Sequence, residues 1–289
     1  MILGGQQTTL NEAISIDGVG LHTGEPCTLI MRPAAENAGI SFKRSDVRSA
    51  QPIAATADNV VFTQYGTVLA NGDGTRIATT EHLMAALAIL QIDNVEIIVD
   101  GPEVPVLDGS AEPFVEAILA KGRAVQNTPR RVIRLHEPIN VSDGDRSISI
   151  VPADAFSLSI SIDFGGEVIG QQSLSINGTD HAELTKLARA RTFCRRPELD
   201  ALRALGLGKG GSLENAIVVD GDTMLNDAPL RDEDEFVRHK ALDLLGDFYL
   251  LGAPIAAAIT AIKPGHTLNT RAVSAIAEGA HHGGRTASA

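Results

Sequence analysis

The chain is poor in cysteine, has no long apolar run and is short of positive charge, and each shortage removes a class of protein. Its two cysteines, Cys27 and Cys194, stand far apart and in no metal-like spacing. They read as reduced, partly buried thiols in a cytosolic protein, not as a disulfide framework or a zinc clip. No segment approaches the roughly 18 consecutive apolar residues of a membrane-crossing helix. The opening MILGGQQTTLNEAISI lacks both the basic and the apolar region of an export signal. The expectation is a cytoplasmic protein whose contact with a membrane is peripheral at most. Lys and Arg number 24 against 36 Asp and Glu, a net charge of −12. That excludes a protein that coats nucleic acid, which needs a basic footprint. It leaves room for a small anionic ligand held by a few local lysines.

At 289 residues the chain is long enough for one large or two modest domains, and 44% hydrophobic content supplies a sizeable core. Residues 1–127 read as strands followed by helix, strand, helix. CTLIMRP and GISFKR are strand-like in their branched and apolar content. TTEHLMAALAIL is a helix that Thr79 or Thr80 can cap, with Leu83, Ala86, Leu87 and Leu90 at helical spacing. The strand NVEIIVD and the loop GPEVPVLDGSAEP then lead to a second helix, PFVEAILAKG. The polar AVQNTPRRVIRL marks the boundary. Residues 128–279 repeat the order: strands RVIRL, SISIVP and SLSISIDF, a helix at 234–250, the strand PIAAAITAI and the helix NTRAVSAIAE. The small, polar stretch 280–289 reads as a disordered tail.

One helix carries an unusual edge. In DEFVRHKALDLLGDFYL, Val237, Ala241, Leu244, Phe248 and Leu251 form a core stripe. His239, Asp243 and Asp247 stand at i, i+4 and i+8 beside it, in one row. Two such side chains a turn apart can reach one metal ion. The bland alternative is a His–Asp pair on a solvated helix face. His82 opens its own helix directly after Glu81. Two His and one Asp would make three protein ligands and leave a fourth position for water, the arrangement of a catalytic zinc site. Such a set suits Zn²⁺, with Fe²⁺ as the competitor. Glu81 could take a proton from water there, or serve only as a favourable charge at a helix N-terminus. Spacing alone does not bring His82 to His239. GVGLHTG reads as a tight turn in which Gly18, Gly20 and Gly24 take unusual dihedrals. GKGGS lacks the spacing of a phosphate loop and reads as a backbone turn.

Together TTEHLMAALAILQIDNVEIIVDGPEVPVLDGSAEPF, ARTFC, GGSLENAIVVD, RDEDEFVRHKALDLLGD, KPGHTLN and GVGLHTG resemble the zinc-dependent UDP-3-O-acyl-N-acetylglucosamine deacetylases of lipid A synthesis. The resemblance spans nearly the whole chain in the same order. It implies an α+β fold of two similar two-layer α/β sandwich domains, packed with their helices between the sheets and with the active site at the junction. An acyl-chain passage is implied near residues 185–205. It implies zinc ligands His82, His239 and Asp243, with Glu81 as general base. It implies His266 as acid or cation, Asp247 as the carboxylate that orients it, and Thr192 as a hydroxyl on the tetrahedral intermediate. Lys240, Phe193 and His22 would contact substrate, and Asp163, Phe164 and Lys263 would lie around the uridine and its charge. The partner implied is an acylated UDP-sugar, and the enzyme implied is a monomer. Two stretches depart from the family pattern. GGEVIGQQ follows SIDF where many members carry His-Pro, and CRRPELD after RTF is unusually basic beside an acyl passage. The competing readings are a zinc amidase for another sugar nucleotide and a non-catalytic metal-stabilised binding protein. The second has no use for both Glu81 and His266 beside an intact ligand set.

Overall fold

Strands form where apolar and polar residues alternate, because successive side chains point to opposite faces. In Val95–Val99 the two faces alternate between buried and half-buried, and in Pro26–Pro33 Cys27, Leu29 and Met31 all point inward. The computed structural model describes residues 3–166 and 168–283. In the first half, the sheet order is Ile14–Val19, Pro26–Pro33, Val95–Val99, Ile40–Arg44, Ile53–Ala54. Val95–Val99 runs antiparallel to Pro26–Pro33 and parallel to Ile40–Arg44. The second half repeats this pattern: Ile139–Asp143, Arg146–Pro152, Ile255–Ile262, Ser157–Asp163, Gln171–Asn177. Its central strand again arrives last, antiparallel to one neighbour and parallel to the other. The fold is thus an α+β sandwich with the same sheet built twice.

In each half the late central strand lies between two helices in sequence. These are α1 (Glu81–Ile89) and α2 (Glu112–Lys121) in the first half. The second half has α3 (His181–Ala188), α4 (Arg196–Ala204), α5 (Glu235–Tyr249) and α6 (His266–Gly283). Every residue of α1 is buried, and so is every residue of α5 except Lys240. A helix apolar on one stripe is covered on one side, whereas these two are covered on all sides. α5 packs on strands Ser157–Asp163 and Gln171–Asn177 and against α1 and α6. The row of His239, Asp243 and Asp247 therefore faces the interior, and the solvated-face alternative falls.

The two central helices come backbone to backbone at one glycine. A Cβ on Gly246 would lie 2.1 Å from the Glu81 carbonyl oxygen and 3.1 Å from the Ala85 nitrogen. That close approach sets Glu81 and His82 directly across from Asp243 and Asp247.

Several local expectations are corrected. Neither threonine caps α1. Thr80 precedes it in helical conformation with no cap bond. Its hydroxyl donates to the Thr67 carbonyl at 3.3 Å, and that of Thr79 to Glu103 at 2.8 Å. The buried helix start leaves neighbouring loops, not the helix itself, to take up these hydroxyls. The polar stretch around Pro129, read as a boundary, is itself tied down. Strand Arg123–Pro129 pairs with Gln6–Leu10, and Arg130 forks onto Asp93 at 2.8 Å. The helix α6 runs to Gly283, past the start of the expected tail, since a packed helix extends at little cost. The rest of that tail, residues 284–289, lies outside the described residues.

Each half also carries a small three-stranded sheet. Val60–Phe62, Val68–Ala70 and Arg76–Ile77 stand before α1, and Phe193–Arg195, Ile217–Asp220 and Thr223–Met224 before α5. With α4, the latter takes in residues 193–204 of the expected acyl-passage stretch 185–205, whose first residues, 185–188, belong to α3, and it continues to Met224.

Candidate metal centre

His82 and His239 meet from opposite helices, with ring centroids 5.0 Å apart and planes at 85°. Both Nε2 atoms face Asp243 Oδ1, at 3.7 Å from His82 and 3.4 Å from His239. The ligand atoms of the three residues all lie within 4.8 Å of one another, and all three residues are buried. The Nδ1 of His239 donates to the Ala190 carbonyl at 3.0 Å, which leaves its Nε2 as the free acceptor. Lys240 Nζ donates to the other Asp243 oxygen, Oδ2, at 2.7 Å. Asp243 Oδ1 itself is buried and has no hydrogen-bond partner.

These residues fit a divalent cation. A buried carboxylate oxygen without a donor is costly, and two imidazole acceptors beside it cannot relieve it. Burial holds both imidazoles neutral: it lowers the pKa of His82, and pushes that of His239 down to about 3. Burial works against the Asp243 charge, but the positive charges of Lys240 and His266 outweigh it and hold its pKa below the usual range. Two neutral imidazoles and one carboxylate are the donors that a zinc-like ion takes.

Glu81 stands beside the cluster. Its Oε2 accepts the Thr67 N–H at 3.0 Å, and its Oε1 lies 3.8 Å from His266 Nε2. Burial raises its pKa to about 7, partly opposed by His266. His266, the first residue of α6, donates from Nδ1 to Asp247 Oδ2 at 2.8 Å. Burial alone would lower its pKa, but Asp247 and Asp243 overcome that and raise it to about 10. Asp247 is buried behind His266. It also accepts the Thr67 hydroxyl at 2.6 Å and the Asn269 amide at 2.8 Å.

A cavity of about 560 Å³ opens over these groups. Glu81, His82, His239, Lys240, Asp243, His266, Thr192, Phe193 and His22 all line it. Phe193 lies under Lys240, whose Nζ is 5.4 Å from the ring centroid. Part of its lining is apolar: Leu199, Leu202, Leu213 and Val218. Cys194 lines the cavity with its thiol pushed up to about 11 by burial, so it is no nucleophile at neutral pH. The basic pair after Phe193 is engaged: Arg195 reaches Glu198 at 2.6 Å and Arg196 reaches Asp220 at 2.9 Å. Three expected contacts stand apart. Asp163 and Lys263 pair with each other at 3.3 Å outside the cavity lining, and Phe164 meets the lining residue Phe193 edge-on, ring centroids 5.6 Å apart.

The glycine-rich turns close one side. GVGLHTG and GKGGS meet backbone to backbone, with Gly210 N–H donating to the Leu21 carbonyl at 3.0 Å. Only Gly24 of the first turn has positive φ, +66°. Gly18 and Gly20 are there for space, since a Cβ on Gly20 would lie 2.3 Å from Glu103 Oε2. Glu103 accepts the backbone N–H of His22 and of Thr23, each at 2.9 Å, and His22 Nε2 donates to the Tyr65 carbonyl at 2.8 Å. Sequence reading overlooked Thr67, Ala190, Glu103 and Asn269. Asn269, three residues past His266 on a helix, was detectable by spacing. The others meet the site across long loops and carry no local signal.

Residues 7–278 match the family described as UDP-3-O-acyl N-acetylglycosamine deacetylase. The chain is 46% identical over 272 residues to the UDP-3-O-acyl-N-acetylglucosamine deacetylase of Phenylobacterium zucineum, covering 94% of this chain and 93% of that protein. It is 44% identical over 270 residues to the protein of the same name from Anaeromyxobacter dehalogenans, covering 93% and 87%. For the one from Myxococcus xanthus the values are 45% over 267 residues, covering 92% and 85%.

Proposed function

Because the chain belongs to the UDP-3-O-acyl N-acetylglycosamine deacetylase family, we propose that the cavity between α1 and α5 is its active site, holding one Zn²⁺ on His82, His239 and Asp243. The chain is a deacetylase of lipid A synthesis: it hydrolyses the N-acetyl amide of UDP-3-O-acyl-N-acetylglucosamine, leaving a free amine and releasing acetate. The observation that carries our assignment is Asp243 Oδ1, buried and without a partner, facing two imidazole nitrogens beside Glu81. Fe²⁺ accepts similar donors, and we assign Zn²⁺ on the two-imidazole, one-carboxylate set.

The ion, when bound, polarises the amide carbonyl and lowers the pKa of water at the site. Glu81 takes the proton of the attacking water. Its raised pKa, about 7, suits a base that must also release that proton near neutrality. His266 gives a proton from Nε2 to the departing nitrogen, while Asp247 holds Nδ1 and keeps the ring charged. Thr192 places a hydroxyl in the cavity wall for the developing oxyanion. Lys240 steadies Asp243 and offers positive charge to the substrate. Phe193 and His22 border the sugar, and the apolar part of the lining beside α4 suits the acyl chain. Asp163, Phe164 and Lys263 belong to the uridine end, beyond the cavity rim.

We divide the chain into two α/β units, 1–127 and 128–279, that supply the two walls. We place the reaction in the cytoplasm, in a monomer with peripheral membrane contact at most. The two free cysteines suit a reducing compartment. No helix among the described residues is long and apolar enough to cross a membrane.

The test is acetate release from UDP-3-O-(3-hydroxyacyl)-N-acetylglucosamine before and after the metal is stripped. Release should vanish with the chelator and return with substoichiometric zinc. Release that survives rigorous metal removal refutes the metal assignment. Release from related UDP-sugars but not from this one refutes the substrate.

A further inference from the structure

We propose that Thr67 is the positioning residue that holds the base and the acid of this site in register, an inference that rests on the roles given above to Glu81 and His266. Thr67 is fully buried in the loop before strand Val68–Ala70. Its backbone N–H donates to Glu81 Oε2 at 3.0 Å. Its hydroxyl donates to Asp247 Oδ1 at 2.6 Å and lies 3.4 Å from His266 Nδ1. Its carbonyl accepts the N–H and the hydroxyl of Thr80, the residue before Glu81, each at 3.3 Å. One residue is thus bonded to the entry of α1, to the base that α1 carries, and to the carboxylate that α5 sets behind His266.

The loop has no slack. A Cβ on the preceding Gly66 would stand 2.8 Å from Glu81 Oε1, so the backbone is pressed against the base. Among the described residues Asp247 has three donors: Thr67 hydroxyl, His266 Nδ1 and Asn269 Nδ2. The hydroxyl satisfies Oδ1, and the other two share Oδ2. Removing the hydroxyl leaves a buried carboxylate oxygen bare, and bonds to an ionised carboxylate are the strong ones. The carboxylate then turns to recover a donor and carries the imidazole with it. His266 Nε2, which faces the cavity, loses its aim. Thr67 does not line the cavity, so its loss should act on turnover and not on substrate binding.

The experiment compares Thr67→Val, which keeps the shape, with Thr67→Ser, which keeps the hydroxyl. In Thr67→Val kcat should fall roughly 10–100-fold, the usual scale for a supporting hydrogen bond. KM should stay within about threefold, and Thr67→Ser should recover kcat to within about threefold of the parent. The proton resonance of His266 Nδ1–H, in histidine-labelled protein at one fixed pH, should move in Thr67→Val and return in Thr67→Ser. In combination with Asp247→Asn, the two losses should not add, because one acts through the other.

A Thr67→Val protein with parental kcat and an unmoved His266 resonance overturns the proposal. So does a Thr67→Ser protein as slow as Thr67→Val, or a double variant whose losses add. If Thr67→Val does not fold, Thr67→Ala is read by the same criteria. If the parent chain releases no acetate, the function assigned above fails, while the resonance still decides the role of Thr67.

Discussion

A single methyl group at residue 246 should disable this enzyme while barely unfolding it. In Gly246→Ala the new Cβ would lie 2.1 Å from the Glu81 carbonyl oxygen, where ordinary contact begins at 3.4 Å. Neither party is the flexible end of a side chain, so α1 and α5 must part by roughly 1 Å. Overpacking of this kind costs about 1–3 kcal/mol, and alanine returns about 1 kcal/mol of helix propensity. The net loss is about 0–2 kcal/mol, a fall of at most roughly 8 °C in Tm for a chain of this size. Function should suffer far more. α1 carries Glu81 and His82, and α5 carries His239, Asp243 and Asp247. Metal sites tolerate ligand shifts of only about 0.2 Å, so zinc Kd should rise at least about tenfold. A displacement of about 1 Å between base and acid should lower kcat on the order of 100-fold. The assays are thermal melting, zinc titration and acetate release on the same preparation. If Gly246→Ala binds zinc and turns over like the parent, contact between α1 and α5 does not set the site, and the reasoning is refuted.

Glu81→Gln should lose kcat by about 10²–10⁴-fold yet still bind one zinc per chain by elemental analysis. Loss of metal together with activity would make Glu81 a ligand instead of a base. The rate should follow a bell in pH, because Glu81 must be ionised and His266 protonated. Turnover rises through the Glu81 pKa, about 7 without metal, and a bound cation moves this limb lower because it favours the carboxylate. Turnover falls through the His266 pKa, about 10, and a profile flat to pH 11 would remove His266 as the acid. Zinc at 1,000 times its Kd should stabilise the fold by about 4 kcal/mol, read as a rise in Tm. Burial lowers the pKa of both imidazoles, so protons should not compete for them near pH 6, and this rise should persist from pH 8 to about 5.5. Its disappearance near pH 6.5 would mean that the rings titrate normally.

Much of this was legible along the chain, because local geometry depends on near neighbours. A helix of 3.6 residues per turn puts His239, Asp243 and Asp247 on one edge whatever surrounds it. Alternation in Val95–Val99 and Pro26–Pro33 likewise declares a sheet face. The repeated order of strands and helices announced two similar layers. The stripe of α5 left a solvated edge open as an alternative, and only the fold removes it, because α1 packs against that helix. Thr79 and Thr80 looked like caps, and packing gave their hydroxyls to other loops. Asp163 and Lys263, expected around the uridine, form an ion pair outside the cavity lining that no local pattern announces. Nothing in the local sequence marks Thr67, which reaches Asp247 across 180 positions.

The residue types, their helix faces and the ligand set on α5 are therefore properties of the chain read a few residues at a time. The meeting of His82 with Asp243, the neutral imidazoles, the basic His266 and the cavity above them belong to the folded molecule. They arise where two covered helices cross at Gly246, for there burial removes water from charges that the sequence leaves far apart.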